Sequence, residues 1–163
     1  MKHSKTETFE GGCTCQHVRY RMESRPMIVH CCHCRWCQRE TGTSFVLHAV
    51  IESDRLTVLD GQPERTTIPS ESGAGQEVVR CPHCKIALWS HYSSAGRLAS
   101  MVKVGTLDDP DQMPPDVQIF AESKQPWVML NPDIPSFEKF YRRSEVWSEE
   151  ALTRREAMLN NMQ

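Results

Sequence analysis

The sequence predicts a mainly β domain with a short C-terminal helix. Apolar and β-branched residues recur in brief, often alternating runs of the length usual for strands. Turn residues punctuate those runs, with 10 Pro and 8 Gly among 163 residues. Helical signals are confined to the tail.

The elements follow in order. After the Gly11-Gly12 turn, residues 18–22 (Val-Arg-Tyr-Arg-Met) alternate as a half-buried strand does. Residues 27–29 form a short apolar strand that runs into a cysteine cluster, and residues 44–51 are β-branched and aromatic. Residues 56–59 make a further strand before the Asp60-Gly61 turn, and residues 62–76, rich in Pro, Ser and Gly, read as a surface loop or irregular ribbon. Strands are expected at 77–80, 87–92, 101–105 and 117–121. Ser148 is placed to cap a helix that begins with Glu149 and Glu150, whose charges oppose the helix dipole. Ala151, Leu152, Arg155, Met158 and Leu159 share one face of that helix, which suits docking on the domain.

Composition weighs against several function classes. A hydrophobic share of 39% with 25% charged residues describes a globular chain long enough to bury a core in one domain. The net charge of −2 offers no basic footprint for nucleic acid. No stretch reaches the ~18 apolar residues that a membrane helix needs, and residues 1–8 carry no apolar leader segment. A cytoplasmic location with reduced thiols is therefore expected, and tight C-x-C and C-x-x-C spacings in that setting favour metal over disulfides.

The 8 cysteines fall into three clusters: Cys13 and Cys15; Cys31, Cys32, Cys34 and Cys37; Cys81 and Cys84. The outer pairs together supply four thiolates, enough for one closed tetrahedral zinc site of the structural kind. In an extended segment residues i and i+2 share a face, so Cys13 and Cys15 can grip one ion, and a C-x-x-C turn does the same for Cys81 and Cys84. The middle C-x-C-x-x-C offers Cys32, Cys34 and Cys37, which leaves one coordination position open, as catalytic zinc sites do. The residues alone leave two alternatives: Cys34 and Cys37 could pair with Cys81 and Cys84, or Cys31, His33 or His30 could fill the fourth position. Three thiolates make zinc a poorer Lewis acid than three imidazoles do. The fitting chemistry is an incoming thiol that loses its proton at the open position and attacks a small electrophile such as an aldehyde. Trp36 and Phe45 suit a pocket wall or the core, Thr43 and Ser44 suit a turn or a substrate contact, and His17, His48, His83 and His91 have no ligand-like spacing.

Several motifs then resemble one family. They are Gly11-Gly12-Cys13-x-Cys15-x-x-Val18-Arg19-Tyr20, Cys32-His33-Cys34-x-x-Cys37-x-x-x-x-Gly42-x-Ser44-Phe45, and Cys81-x-x-Cys84-x-x-x-Leu88. Gly105-x-Leu107-Asp108-Asp109-Pro110, Ile119-Phe120-x-Glu122-Ser123-Lys124-x-Pro126-Trp127 and Pro135-x-Phe137 extend the likeness. Together they resemble the glutathione-dependent formaldehyde-activating enzyme family, which also includes centromere protein V-like members. The resemblance implies an Mss4-like fold of small antiparallel sheets clasped by zinc, over residues 9–143, followed by a helical tail over residues 144–163. It implies two Zn2+ per chain, a structural one on Cys13, Cys15, Cys81 and Cys84 and a catalytic one on Cys32, Cys34 and Cys37. It also implies small-molecule partners, a glutathione-like thiol and formaldehyde, joined to an S-hydroxymethyl adduct by a carbon–sulfur lyase running in reverse. The chain departs from the family at Gln16 and Lys85, where glycine is usual after each knuckle, and in the extra thiol of Cys31.

Overall fold

The structure, a computed structural model, describes residues 7–161; the polar residues 1–6, on which most of the expected absence of a leader rests, lie outside the described residues. The chain builds two β-sheets. The smaller has three antiparallel strands, β1 (Phe9–Gly12), β2 (Arg19–Met22) and β5 (Leu56–Asp60), in the order β1-β2-β5. The larger holds β3 (Ile28–Cys32), β4 (Val46–Glu52), β6 (Glu64–Ile68), β7 (Gln76–Arg80), β8 (Ala87–Tyr92), β9 (Ala99–Lys103) and β10 (Val117–Ile119). Its order is β10-β3-β4-β9-β8-β7-β6. All its pairings are antiparallel except β10 with β3, which run parallel because most of the chain intervenes as the crossover. Helices are short: α1 (Arg35–Thr41), α2 (Arg143–Val146) and α3 (Glu149–Asn160). The mainly β expectation holds, and the paired cysteine clusters are consistent with an Mss4-like clasp. One sheet is larger than the small antiparallel sheets expected, and it is mixed.

Strand alternation sorts the core onto two faces of the large sheet. On β3, Val29 joins a cluster with Tyr20, Met22, Ala49, Ile51, Trp89 and Val102, which fills the space between the two sheets. Its neighbours Ile28 and Cys32 join a second cluster with Val50, Tyr141, Trp147, Ala151 and Met158 on the opposite face. The molecule is thus layered as small sheet, large sheet and C-terminal segment. The motif around Gly105–Pro110 closes the first layer. Gly11 bridges Leu107, Arg19 pairs with Asp108, and the Tyr20 and Thr106 hydroxyls meet at 2.7 Å. Any side chain at Gly11 would collide with the Thr106 carbonyl oxygen, only 2.5 Å from where a Cβ would sit.

Residues 62–76 are not all loop. Glu64–Ile68 pair with β7 as an antiparallel edge strand whose positions are exposed or half-buried. The tail helix starts where its cap predicts, with the Ser148 hydroxyl accepting from the Ala151 N–H at 3.1 Å. It is docked: Ala151 and Met158 are buried, and Arg154 makes a bidentate pair with Glu52 on β4 at 2.8 and 2.6 Å. Burial alone would raise the Glu52 carboxyl, but the Arg154 guanidinium overrides it and holds the group below its ordinary 4.5. The pair therefore contributes stability above about pH 4.5, and that contribution fades as pH falls through the lowered folded value. Replacing Arg154 with Met should cost about 2 kcal/mol, because buried Glu52 loses its bidentate partner and keeps only the more exposed Arg55, at 3.6 Å. Urea unfolding measures this, and Glu52→Gln in the same chain should recover most of the loss; an unchanged midpoint in the single variant would remove the clamp.

Candidate metal centre

The four outer cysteines meet at one point. The Cys13 and Cys15 sulfurs lie 3.5 Å apart, Cys15 and Cys81 lie 3.7 Å apart, and all four sulfurs are within 4.8 Å of one another. A tetrahedral metal with bonds near 2.3 Å has sulfur–sulfur edges of about 3.8 Å, so the donor set fits zinc. These separations are far longer than the ~2.05 Å of a disulfide, and all eight cysteines are free. Two similar knuckles shape the cluster. Gln16 N–H donates to the Cys13 carbonyl and Lys85 N–H to the Cys81 carbonyl, each at 3.0 Å. Both turning residues are left-handed, Gln16 at φ 62° and Lys85 at φ 63°, which is where glycine would be at ease. Backbone N–H groups of Val18 and His83 point at the Cys13 and Cys81 sulfurs, at 3.3 and 3.4 Å. The Ile86 and Cys15 amides hold the Cys84 thiol down to about 6, a thiolate poised for a cation.

The middle cysteines form the second cluster, and secondary structure separates them from Cys31. Cys32 ends β3 facing the second core layer, whereas Cys31 faces the other way, with its sulfur 3.5 Å from His33 Nε2. Burial pushes the Cys31 thiol up to about 11, an inert state. Cys34 caps α1, its sulfur accepting from the Cys37 N–H at 3.3 Å, and Cys37 sits in the first turn of that helix. The helix ends at Gly42, left-handed at φ 70°. The sulfurs of Cys32, Cys34 and Cys37 lie within 4.8 Å of one another, and no fourth Cys, His, Asp or Glu of the described residues joins them. Hydrogen bonds from Cys32 and Cys37 favour the thiolate at Cys34, held down to about 3. Cys32 is pushed far up by those same neighbours. For Cys37 the bond to Cys32 lowers the thiol, but the Cys34 bond and burial win and raise it to about 12. A dication relieves that conflict by ionising all three, so this set also fits a metal, with one position left over.

Neighbours of this cluster carry chemistry that their spacing in sequence does not disclose. His48 Nε2 lies 3.5 Å from the Cys37 sulfur and Tyr92 Oη 4.0 Å. Burial keeps His48 neutral, its ring held far below the usual imidazole range, and keeps the Tyr92 phenol protonated. The available signal for His48 is parity: it shares a face of β4 with Val46 and Val50 and is the register partner of His30. His30 Nε2 meets Tyr141 Oη at 2.5 Å, and Trp147 Nε1 donates to the same oxygen at 2.7 Å. Glu40, beside the cluster on α1, is paired with Lys103 and Arg80. Trp36 lines the opening and is 42% exposed, while Phe45, 39% exposed, packs against His33. Thr43 serves its turn, bonding the Phe45 carbonyl. His17 and His83 stack on each other at 3.7 Å, and His91 bonds the Ala99 carbonyl.

A cavity of about 360 Å³ opens directly onto Cys32, Cys34 and Cys37. Its floor is the large sheet, through His30, His48, Val50 and Met101, and another wall is the C-terminal segment, through Phe140, Trp147 and Met158. Phe120, left-handed at φ 56° without being glycine, also lines it, the kind of backbone strain that concentrates at ligand sites. Among the described residues no helix is long and apolar enough to cross a membrane.

A family model described as glutathione-dependent formaldehyde-activating enzyme matches residues 8–123. Among solved structures, a crystal structure of a Rhodobacter sphaeroides protein is similar at 17% identity and a TM-score of 0.46, covering 78% of this chain and 99% of that one. No curated protein matches the chain.

Proposed function

The chain belongs to the glutathione-dependent formaldehyde-activating enzyme family, and from that premise we propose that it is a cytoplasmic, zinc-dependent enzyme of the carbon–sulfur lyase type. It joins a thiol to a small aldehyde such as formaldehyde, giving an S-hydroxymethyl adduct. The observation that carries this reading is the pairing of a three-cysteine cluster, with no fourth protein ligand among the described residues, and a cavity that opens onto it. Zinc on Cys32, Cys34 and Cys37, when bound, supplies a position at which a thiol is ionised near neutral pH. A second zinc on Cys13, Cys15, Cys81 and Cys84 holds the domain of residues 9–143 together, with residues 144–163 as its helical tail.

The chain's own residues do the rest. The new bond runs from the thiol sulfur to the carbonyl carbon, the thiol's proton leaves the sulfur, and the carbonyl oxygen ends as a hydroxyl. His48 and Tyr92 meet the cluster as neutral polar groups, and Tyr92 keeps an O–H to offer the developing oxyanion. The apolar walls limit water around the reacting sulfur. Glutathione and formaldehyde are the first pair to test, by magnetisation-exchange NMR of adduct formation with and without protein. Acceleration over the spontaneous reaction is expected for a thiol that the site accepts; no acceleration with glutathione or with any alkyl thiol carrying one carboxylate would instead assign the chain to a zinc module that binds a thiol without turning it over.

A further inference from the structure

The cavity beside the three-cysteine cluster is completed by a wall that the family match does not cover. That match ends at residue 123, yet Phe140, Arg143, Trp147, Arg155 and Met158 all line the cavity. This wall therefore lies beyond the matched residues. Its chemistry is also uneven. By area the lining is mostly apolar, with Met27, Val50, Met101 and Ile119. His48 and Tyr92 nevertheless stand at the cysteines, and Ser70, Ser72, Gln76 and Ser94 also line it. Two guanidiniums also line it, Arg143 from α2 and Arg155 from α3. Arg143 stacks over Phe140 and Trp147 at 5.4 and 5.9 Å, so its head is held in place. Neither arginine has a carboxylate partner among the described residues, although Glu71 lines the same cavity. Burial and the nearby charge of Arg155 lower the Arg143 guanidinium from its ordinary value, a repulsion that a bound anion would relieve.

Glutathione, with two carboxylates, an ammonium and two amides, suits such a lining poorly, since each polar group taken from water needs a partner. We propose that the cavity selects a different thiol: one with an apolar chain of several carbons ending in a single carboxylate or comparable anion, which Arg143 and Arg155 receive while the sulfur reaches the three cysteines. This rests on the thiol–aldehyde reading and narrows its thiol. The apolar chain takes the walls, and the anion takes a place far better suited to it than the neighbourhood of three thiolates.

Calorimetric titration of the full, zinc-loaded chain tests this. The probes are 3-mercaptopropanoate, 6-mercaptohexanoate, 8-mercaptooctanoate, the matching alkanoates without sulfur, octanol and glutathione. Affinity should rise by up to about fourfold per added methylene along each carboxylate series. Arg143→Gln should weaken octanoate about tenfold or more without weakening octanol. Arg155→Gln, on the other helix, repeats the test should the first variant disturb α2, and Met101→Trp should flatten the length dependence by filling the cavity. Alkanoates that bind as tightly as the mercaptoalkanoates would keep the cavity assignment and remove the sulfur from the cluster, against the proposed function. Glutathione binding more tightly than 8-mercaptooctanoate, with no dependence on length, would overturn the selectivity and leave the proposed function standing. Equal loss of octanol and octanoate in both arginine variants would remove the anion site.

Discussion

Replacing Cys81 with serine is expected to abolish the folded state. Cys81 is fully buried, and its sulfur lies 3.7 Å from that of Cys15, a residue 66 positions away. The cluster ties the turn after β1 to the turn after β7, which places it against the first core layer through Cys13 and Cys81. Structural zinc contributes on the order of 10–16 kcal/mol in small metallodomains, whereas whole domains are stable by only about 5–15 kcal/mol. A site cut to three thiolates and a buried hydroxyl loses enough of that free energy to tip the balance. Circular dichroism should show no cooperative thermal transition for Cys81→Ser, and metal analysis should show both ions reduced. A variant that melts as the parent does would mean the outer cysteines do not staple the fold.

Cys34→Ser should behave in the opposite way. Cys34 is the N-cap of α1, its sulfur accepting from the Cys37 N–H. Serine is among the best N-cap residues, so the substitution keeps the cap and removes only the thiolate. The chain should fold with a melting temperature within a few degrees of the parent, hold one zinc rather than two, and react no faster than the spontaneous background. Hydroxyl oxygen is a far weaker zinc ligand than thiolate, and only the two buried thiols of Cys32 and Cys37 remain to hold the ion. Should Cys34→Ser unfold as Cys81→Ser does, the two clusters have one role and the division between holding and reacting fails. Retained activity with one zinc would place the chemistry elsewhere.

Much of the cysteine arrangement was legible because its spacing is local. C-x-C and C-x-x-C grip an ion through bond geometry within a few residues, so each knuckle is legible, whereas which knuckles share an ion depends on the fold that brings the four outer sulfurs together. Strand alternation argues against Cys31 binding beside Cys32, and the structure turns its sulfur toward His33 instead. The strand at 64–68 was missed because Glu-Arg-Thr-Thr-Ile buries nothing on either face; its only cause is the backbone ladder to β7. Helix α1 was missed because it is seven residues long with no apolar stripe, and it owes its start to a cysteine cap. His48 was passed over because its partner, Cys37, lies on another element, and only the register of β3 with β4 and the docking of α1 bring them within 3.5 Å.

The sequence by itself determined the mainly β character, the cysteine knuckles, the Ser148 cap and the family, each from residues close enough to constrain one another through the backbone. Only the tertiary structure decided the large mixed sheet, the neutral His48 and Tyr92 at the cluster, and the cavity that the tail completes. Those depend on which face of a strand meets which face of a remote helix. In the sequence Arg143 carries no signal and Arg155 is only one position of the docking face, and they line the wall of a site because Arg154 locks their segment onto Glu52. Packing between distant segments sets that outcome, and its free energy is spread over many contacts that no short motif encodes.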